Sequence, residues 1–499
     1  MGFYSRLAYG IVKTSWGASK VITQQVNAAS LRPSRQARRL GILAPGDAPP
    51  AASMAGFQDY RQVLLPRQLR FLSTGDFPLG NAVHPHSLSK RSPIALSWEN
   101  LRVHCAVIGP SGSGKTSNVI APWIVSAIAA GSSVVAVDVR GDLISEIVAA
   151  KKRLGITARI NTFTWDVDDP THSTGSWSPL QSISLNDSSA TALTAQAILG
   201  EIDPNDPQKF FAQRDHAWLR GLISLTTTLY GENVHPSVLY KAIRSQDFLQ
   251  SMIQTAPNAA FELAGINQFT YESDFLNATQ GIANKISWLS DPNLSSILDP
   301  KLRAANGISR NFKFDLLFNQ PMLLVVGSRI SGGERSAIAS ALMLNQLRLE
   351  TMKRFNYGNT RPVFWMLDEA GRYSNRIDLP QMLDLFRGAN APVCVAVQDA
   401  QQLSSDANER ARILGNCDTF ITLRGVSQVT AEYFSKRLGT LKSPVTTTTL
   451  NPHQQSPSIS YIDTPILGQN EIMNPPVGNY GGVVQLRSKN VRPFLVSFN

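Results

Sequence analysis

Residues 105–120 read CAVIGPSGSGKTSNVI: a short apolar run, then eight residues dominated by glycine, serine and one lysine, then a second apolar run. That order constrains the fold more than any other stretch of the chain. A buried strand must turn sharply and hand over to a helix, and Gly109, Gly112 and Gly114 let the backbone N–H groups of the turn point inward. The eight residues match G-x-x-x-x-G-K-[ST] without a mismatch, and strand, loop and helix-capable segment stand in the order that this motif needs. Inward N–H groups, backed by the positive end of a helix, form a cradle for phosphate. The loop Gly109, Pro110, Ser111, Gly112, Ser113, Gly114, Lys115 and Thr116 is therefore the candidate nucleotide-binding segment. Lys115 supplies a charge to the β- and γ-phosphates of ATP, and Thr116 offers a hydroxyl to Mg²⁺.

Short β-branched runs recur at 103–109, 133–138, 322–328, 363–368, 393–398 and 419–424. They lack polar alternation, as strands buried on both faces of a parallel sheet do. Helix-length segments separate most of them, so the reading is an α/β class with a mostly parallel sheet. Residues 185–315 contain few such runs, and DHAWLRGLISLTTTLY (215–230) has helical spacing; this part reads as an all-α insertion. The α/β domain then comprises 57–184 and 316–499. Residues 441–460, rich in Ser, Thr, Pro and Gln, read as a loop, and the C-terminal end reads as a final pair of strands.

A phosphate loop of this kind needs an acid. In VFWMLDEAGRY, Asp368 and Glu369 follow an apolar strand. Asp368 is the expected Mg²⁺ partner, and Glu369 the carboxylate that orients and activates the attacking water. The adjacent pair favours hydrolysis over transfer to a second substrate. Asp138, which also ends a strand, is the alternative metal partner. Gln398 closes the next apolar strand, where an amide can sense the γ-phosphate. Arg387, eleven residues earlier, is a candidate finger that completes a neighbouring subunit's site. A strand-terminal Gln and a surface Arg are also ordinary turn and surface residues, and spacing alone does not decide between these readings.

Composition narrows the rest. The net charge is +11, and the first hundred residues hold twelve lysines and arginines against four acids. That imbalance favours an anionic partner, nucleic acid or a membrane surface, over a merely solvated tail. Arg6, Lys13 and Lys20 recur every seventh residue, and Phe3, Leu7, Ile11 and Ala18 fall on another side, so 1–40 is expected to be a basic arm with an amphipathic helix. The Pro-, Ala- and Gly-rich stretch 41–56 reads as a linker. The three cysteines have no metal-ligand spacing and suit a reducing compartment. No stretch reaches the roughly 18 apolar residues of a membrane span, and the reading is cytosolic.

The order of these motifs resembles the coupling-protein ATPases of type IV secretion and conjugation, the TraG/TraD-type family, related more distantly to FtsK and HerA translocases. The resemblance spans roughly 100–475 and rests on the phosphate loop, VVAVDVRGDL (134–143), WSPL (177–180) and the stretch from LDEAGRY to ILGNCDTFITLRG. AEYFSKRLG (431–439) and TPILGQNEIM (464–473) match in outline. It implies a RecA-like motor domain with an inserted all-α domain, and a homo-hexameric ring around a channel for DNA, most naturally single-stranded. It also implies ATP sites between subunits, with Arg387 as finger and Gln398 as sensor. The implied partners are a relaxase or secreted protein substrate and the type IV secretion components. The chain departs from the family at Arg140, where Lys is usual, and at Ser178, where Asn is usual. Family members usually begin with two membrane-spanning helices, which this sequence lacks. The basic arm is the candidate substitute, as a peripheral contact at the cytoplasmic face of the inner membrane.

Three functions follow. The leading one is an ATP-hydrolysing DNA translocase that delivers DNA or nucleoprotein to a secretion channel. The second is a nucleotide-dependent receptor for protein substrates that moves no DNA. The third is a soluble DNA translocase outside secretion, in mobilisation or defence.

Overall fold

The fold was read from a computed structural model. It describes residues 20–23, 77–84, 87–183, 187–203, 205–231, 233–299, 301, 311–356, 361–451, 454–475, 477–487 and 493–498. The expected linker 41–56 lies outside them, as do Arg6 and Lys13.

Fourteen strands are described: β1 (Lys20–Thr23), β2 (Phe77–His84), β3 (Ser87–Leu96), β4 (Cys105–Ile108), β5 (Ser133–Asp138), β6 (Thr162–Trp165), β7 (Leu323–Gly327), β8 (Val363–Leu367), β9 (Val393–Val397), β10 (Thr419–Leu423), β11 (Thr440–Asn451), β12 (Gln454–Pro465), β13 (Gly481–Leu486) and β14 (Phe494–Ser497). Eleven of them form one sheet in the order β3-β2-β14-β13-β10-β4-β9-β8-β5-β7-β6. From β10 to β6 every pairing is parallel, and from β10 outward through β13, β14, β2 and β3 every pairing is antiparallel. The six apolar runs of the sequence are β4, β5, β7, β8, β9 and β10, at the centre of the parallel part.

Alternate residues of these strands enter two different cores. Ala106, Ile108, Val135 and Val137 join one cluster, and Cys105, Val107, Val134 and Ala136 join the other. Both faces are therefore covered, which is why the strands read as unbroken apolar runs. The helices Ala121–Ala129 and Leu143–Arg153 cover the second face. The first face is covered by Gly333–Lys353, Leu379–Phe386 and the helical stretch 187–298. In that stretch all described elements are helices, including Ser188–Leu199, Lys209–Tyr230 and Glu272–Ile286. Its apolar residues, such as Leu222, Ile243 and Ile282, belong to the same cluster as the sheet face. The return of the chain is stitched to the sheet edge: Trp165 and Trp177 pack edge to face, and both donate to the Ile297 carbonyl.

Three expectations change. Residues 441–460 are not a loop; β11 and β12 form a twelve-pair antiparallel hairpin. The run VTTTTL is rich in β-branched residues, and their strand preference outweighs the polarity that suggested a loop. Lys20, expected on the basic face of a helix, lies in β1, which pairs antiparallel with β11. The strands β2, β3 and β6 were not anticipated. Pro78 and Gly80 interrupt β2, where the pairing with β3 shifts register and Gly80 takes φ +80°. A side chain at Gly80 would meet the Ser497 carbonyl at 2.4 Å, so the glycine is what lets β2 lie this close to β14.

Among the described residues, no helix is long and apolar enough to cross a membrane.

Candidate active site

The strand order determines which loops meet. β8, β9 and β4 are neighbours and parallel, so their C-terminal ends open on one edge of the sheet. Asp368 and Glu369 follow β8, Gln398 follows β9, and the Gly109–Thr116 loop follows β4. The acid pair, Gln398 and most of the loop line one cleft of about 480 Å³, together with Arg140, Arg153 and Tyr480.

Gly112 and Gly114 have φ of +76° and +86°, a region that L side chains rarely adopt, so glycine is required here. A Cβ on Gly114 would also sit 2.4 Å from the Asn118 amide nitrogen. Lys115–Ile120 then winds as a π-helix before the α-helix Ala121–Ala129. The Ala121 N–H donates to the Thr116 carbonyl, and Pro122, which has no N–H, stands in the first turn of the α-helix.

Lys115 is buried at 6% exposure, and its ammonium donates to the Gly109 carbonyl at 2.5 Å and to that of Pro110 at 3.3 Å. Burial lowers its pKa, while Glu369 and Asp368 pull it back up. The Thr116 hydroxyl donates to Asp368 Oδ2 at 3.2 Å. Burial, and then the charge of Glu369, push the Asp368 carboxyl up to about 6; Lys115 and the Thr116 hydroxyl act against them. The buried Tyr373 hydroxyl holds the backbone of this turn by donating to the Asp368 carbonyl at 3.0 Å. Glu369 itself adopts a left-handed backbone, φ +48° and ψ +46°. For a residue with a Cβ this costs about 1–2 kcal/mol. The turn places its carboxylate where the Gln398 amide donates to Oε1 at 3.0 Å.

The donor set suits Mg²⁺ with a polyphosphate. A hydroxyl and a carboxylate lie side by side, as a hard cation requires. Among the described residues, no group of three or more His, Cys, Asp or Glu gathers as a metal site. A cation here would take its other ligands from phosphate and water, in the way Mg²⁺ usually binds.

Two candidates stand apart. Asp138 does not face Thr116: its carboxylate accepts from the backbone N–H groups of Arg140, Gly141 and Leu143, at 3.2, 2.7 and 3.2 Å. It closes the turn after β5, which is a structural use of an acid at a strand end. Arg387 is exposed just past the helix Leu379–Phe386, ahead of β9, and does not line the cleft. It lies toward the N-terminal ends of the strands, the opposite edge of the sheet. Conversely, Arg140, Arg153, Tyr480 and Phe498 line the cleft although the motif reading did not select them. Tyr480 and Phe498 come from the far end of the chain, and no local pattern marks them.

No curated protein matches the chain. Among solved structures, the bacterial conjugative coupling protein TrwBdeltaN70 is 16% identical with a TM-score of 0.59, covering 81% of this chain and 86% of that one. The plasmid coupling protein TrwB in complex with ADP and Mg²⁺ is 15% identical, TM-score 0.58, covering 81% and 87%. The same protein with the non-hydrolysable GTP analogue GDPNP is 15% identical, TM-score 0.60, covering 81% and 88%. The chain therefore shares their fold, a RecA-like α/β core with helical additions. The family model described as type IV secretory system conjugative DNA transfer matches residues 80–477, and the chain belongs to that family.

Proposed function

We propose that this coupling protein hydrolyses ATP and uses the cycle to drive DNA, or a nucleoprotein substrate, into a type IV secretion channel. The observation that carries this reading is the meeting of Lys115, Thr116, Asp368, Glu369 and Gln398 in one cleft, although they come from three strand ends far apart in sequence. Bound ATP and Mg²⁺ supply the labile γ-phosphoryl group and a cation to neutralise it. Lys115 leaves its loop carbonyls for phosphate oxygens. Thr116 and Asp368 would hold the cation. Glu369 orients a water and takes its proton. Gln398 keeps the Glu369 carboxylate aimed and registers whether the γ-phosphate is there. Arg387 lies away from its own cleft, which suits a hexamer in which it reaches the cleft of the next subunit. The TrwB structures support the ligands: that protein was captured with ADP and Mg²⁺ and with nucleotide analogues. Residues 1–40 are the proposed peripheral contact with the cytoplasmic membrane face, and a relaxase and the secretion components are the proposed partners.

The test is ATP hydrolysis by the purified chain, with and without single-stranded DNA, at low and moderate salt. Stimulation by DNA that collapses as salt rises is expected, because phosphate contacts release counterions. Hydrolysis indifferent to DNA would instead favour the receptor for protein substrates.

A further inference from the structure

Seven residues beyond Glu369, Arg376 is buried at 6% exposure. One arm of its guanidinium donates to the carbonyls of Ala197 and Ile198, at 3.0 and 2.9 Å. These belong to the last turn of Ser188–Leu199, where carbonyls have no partner within the helix. The other arm donates to Glu334 Oε1 at 2.8 Å. Glu334 opens the helix Gly333–Lys353, and the same oxygen accepts from Lys285 in Glu272–Ile286. One arginine and one carboxylate therefore tie the loop after β8 to two helices of the stretch 187–298.

The near side of the joint is equally fastened to the cleft. Tyr373 holds the Asp368 carbonyl. Arg372 donates to the Ser328 hydroxyl at 3.3 Å and to the carbonyls of Arg329 and Gly333, at 2.5 and 2.9 Å. Ile330, within that clamped loop, lines the nucleotide cleft. The Arg376 carbonyl accepts from the buried Asn345 amide at 2.7 Å. A helix cap alone would need only the first arm of Arg376. The second arm ends on Glu334, beside the loop that Arg372 clamps, so Asp368 and Glu369 have little room to shift without pulling on both helices. Glu369 also holds a strained left-handed backbone, which gives that turn a reason to move.

The geometry points to Arg376 and Glu334 as positioning residues that couple nucleotide in the cleft to the helical stretch 187–298. The inference rests on the nucleotide-binding part of the reading above, not on hydrolysis. Neither side chain lines the cleft, so both act through the turn that carries the acid pair.

Amide hydrogen exchange of the full chain, with and without a non-hydrolysable ATP analogue and Mg²⁺, tests it. In the wild type, the analogue is expected to change protection in Ser188–Leu199 and Glu272–Ile286 as well as in the phosphate loop. Arg376→Ala and Glu334→Ala are expected to lose the response of the two helices and keep that of the phosphate loop. Arg376→Lys, which keeps charge but has one prong, should recover part of it. A general loss of stability would raise exchange with and without the analogue alike, and would not erase the difference between them. If Arg376→Ala does not fold, Glu334→Ala and Lys285→Ala, on the more exposed side of the joint, carry the test. Helices indifferent to the analogue in the wild type, or variants that respond as the wild type does, overturn the inference. A chain that binds no analogue overturns it too. A chain with coupled exchange and no ATP hydrolysis supports the joint and removes the hydrolytic function.

Discussion

The Gln398 side-chain amide donates to Glu369 Oε1 across 3.0 Å, from the strand adjacent to the one that ends at the acid pair. This bond selects one orientation of a carboxylate whose own backbone is strained. Glu369→Gln removes the proposed base and keeps the shape. It is expected to lower the hydrolysis rate by a factor on the order of 10²–10⁴ while nucleotide affinity holds. Gln398→Ala leaves the base present but unaimed, and a loss of roughly tenfold, mostly in kcat, is expected. Steady-state kinetics beside equilibrium binding of a fluorescent nucleotide separates the two; a weakened affinity in Glu369→Gln would contradict the assignment.

Lys115 is held by two carbonyls of its own loop. Lys115→Ala removes the one ammonium in the phosphate loop, and hydrolysis should fall to background. The fold should survive, because the lost bonds, at about 1.5–3 kcal/mol each, hold only carbonyls of the loop itself. Calorimetry of the variant is expected to show a folded chain that no longer gains stability from ATP and Mg²⁺; a retained gain would place phosphate recognition elsewhere.

Two buried groups of opposite sign contribute to the acid side of the stability profile. His104 is held down to about 4, chiefly by burial. Its Nδ1 accepts from the Val393 N–H at 3.0 Å, so the neutral ring is the one that fits. Below the ordinary value of 6.5 the unfolded chain takes up the proton that the folded chain refuses, so this group costs stability as pH falls from 6.5 to about 4. Asp368, raised to about 6 from 3.8, does the reverse: the folded chain binds its proton first, and stability is gained as pH falls through that interval. Each contributes about 3 kcal/mol at full effect, so the two largely cancel between pH 4 and 6. His104 has φ +53°, which asparagine tolerates. In denaturant melts, the stability of His104→Asn relative to the wild type should therefore rise as pH drops from 6.5 to 4, while that of Asp368→Asn relative to the wild type should fall over the same range. Parallel pH profiles for the two variants would refute the assignment of these groups.

The parts of the site legible in the sequence are those whose geometry is local. Gly109 to Thr116 and the pair Asp368–Glu369 are short, follow apolar strands, and owe their chemistry to immediate neighbours. Asp138 shows the limit of that logic: an acid at a strand end looks the same whether it faces a cation or caps its own turn, and only the turn N–H groups at 140, 141 and 143 decide. Arg372 stands inside LDEAGRY and Arg376 just beyond it, yet neither has a role that the sequence alone shows, because their partners at 197, 198 and 328–334 are remote in sequence. The same applies to β2, whose Pro78 and Gly80 hide a strand that only a neighbouring edge makes possible.

Arg387 and the cleft of its own subunit occupy opposite edges of the sheet, a separation that one chain cannot close. If the arginine works across a subunit boundary, Arg387→Ala should bind nucleotide as the wild type does and hydrolyse it slower by a factor on the order of 10³. Glu369→Gln should be equally inactive, for a different reason. Rings assembled from a mixture of the two variants contain some clefts in which an intact Glu369 faces an intact Arg387 from the neighbour. Those clefts are expected to restore hydrolysis in proportion to their statistical share, reaching a maximum near equal mixing. Two inactive variants cannot recover activity this way if the arginine serves its own cleft, because every subunit would then carry one defect. A mixture that stays inactive while the rings exchange subunits would assign Arg387 to its own chain, or to no part of the chemistry.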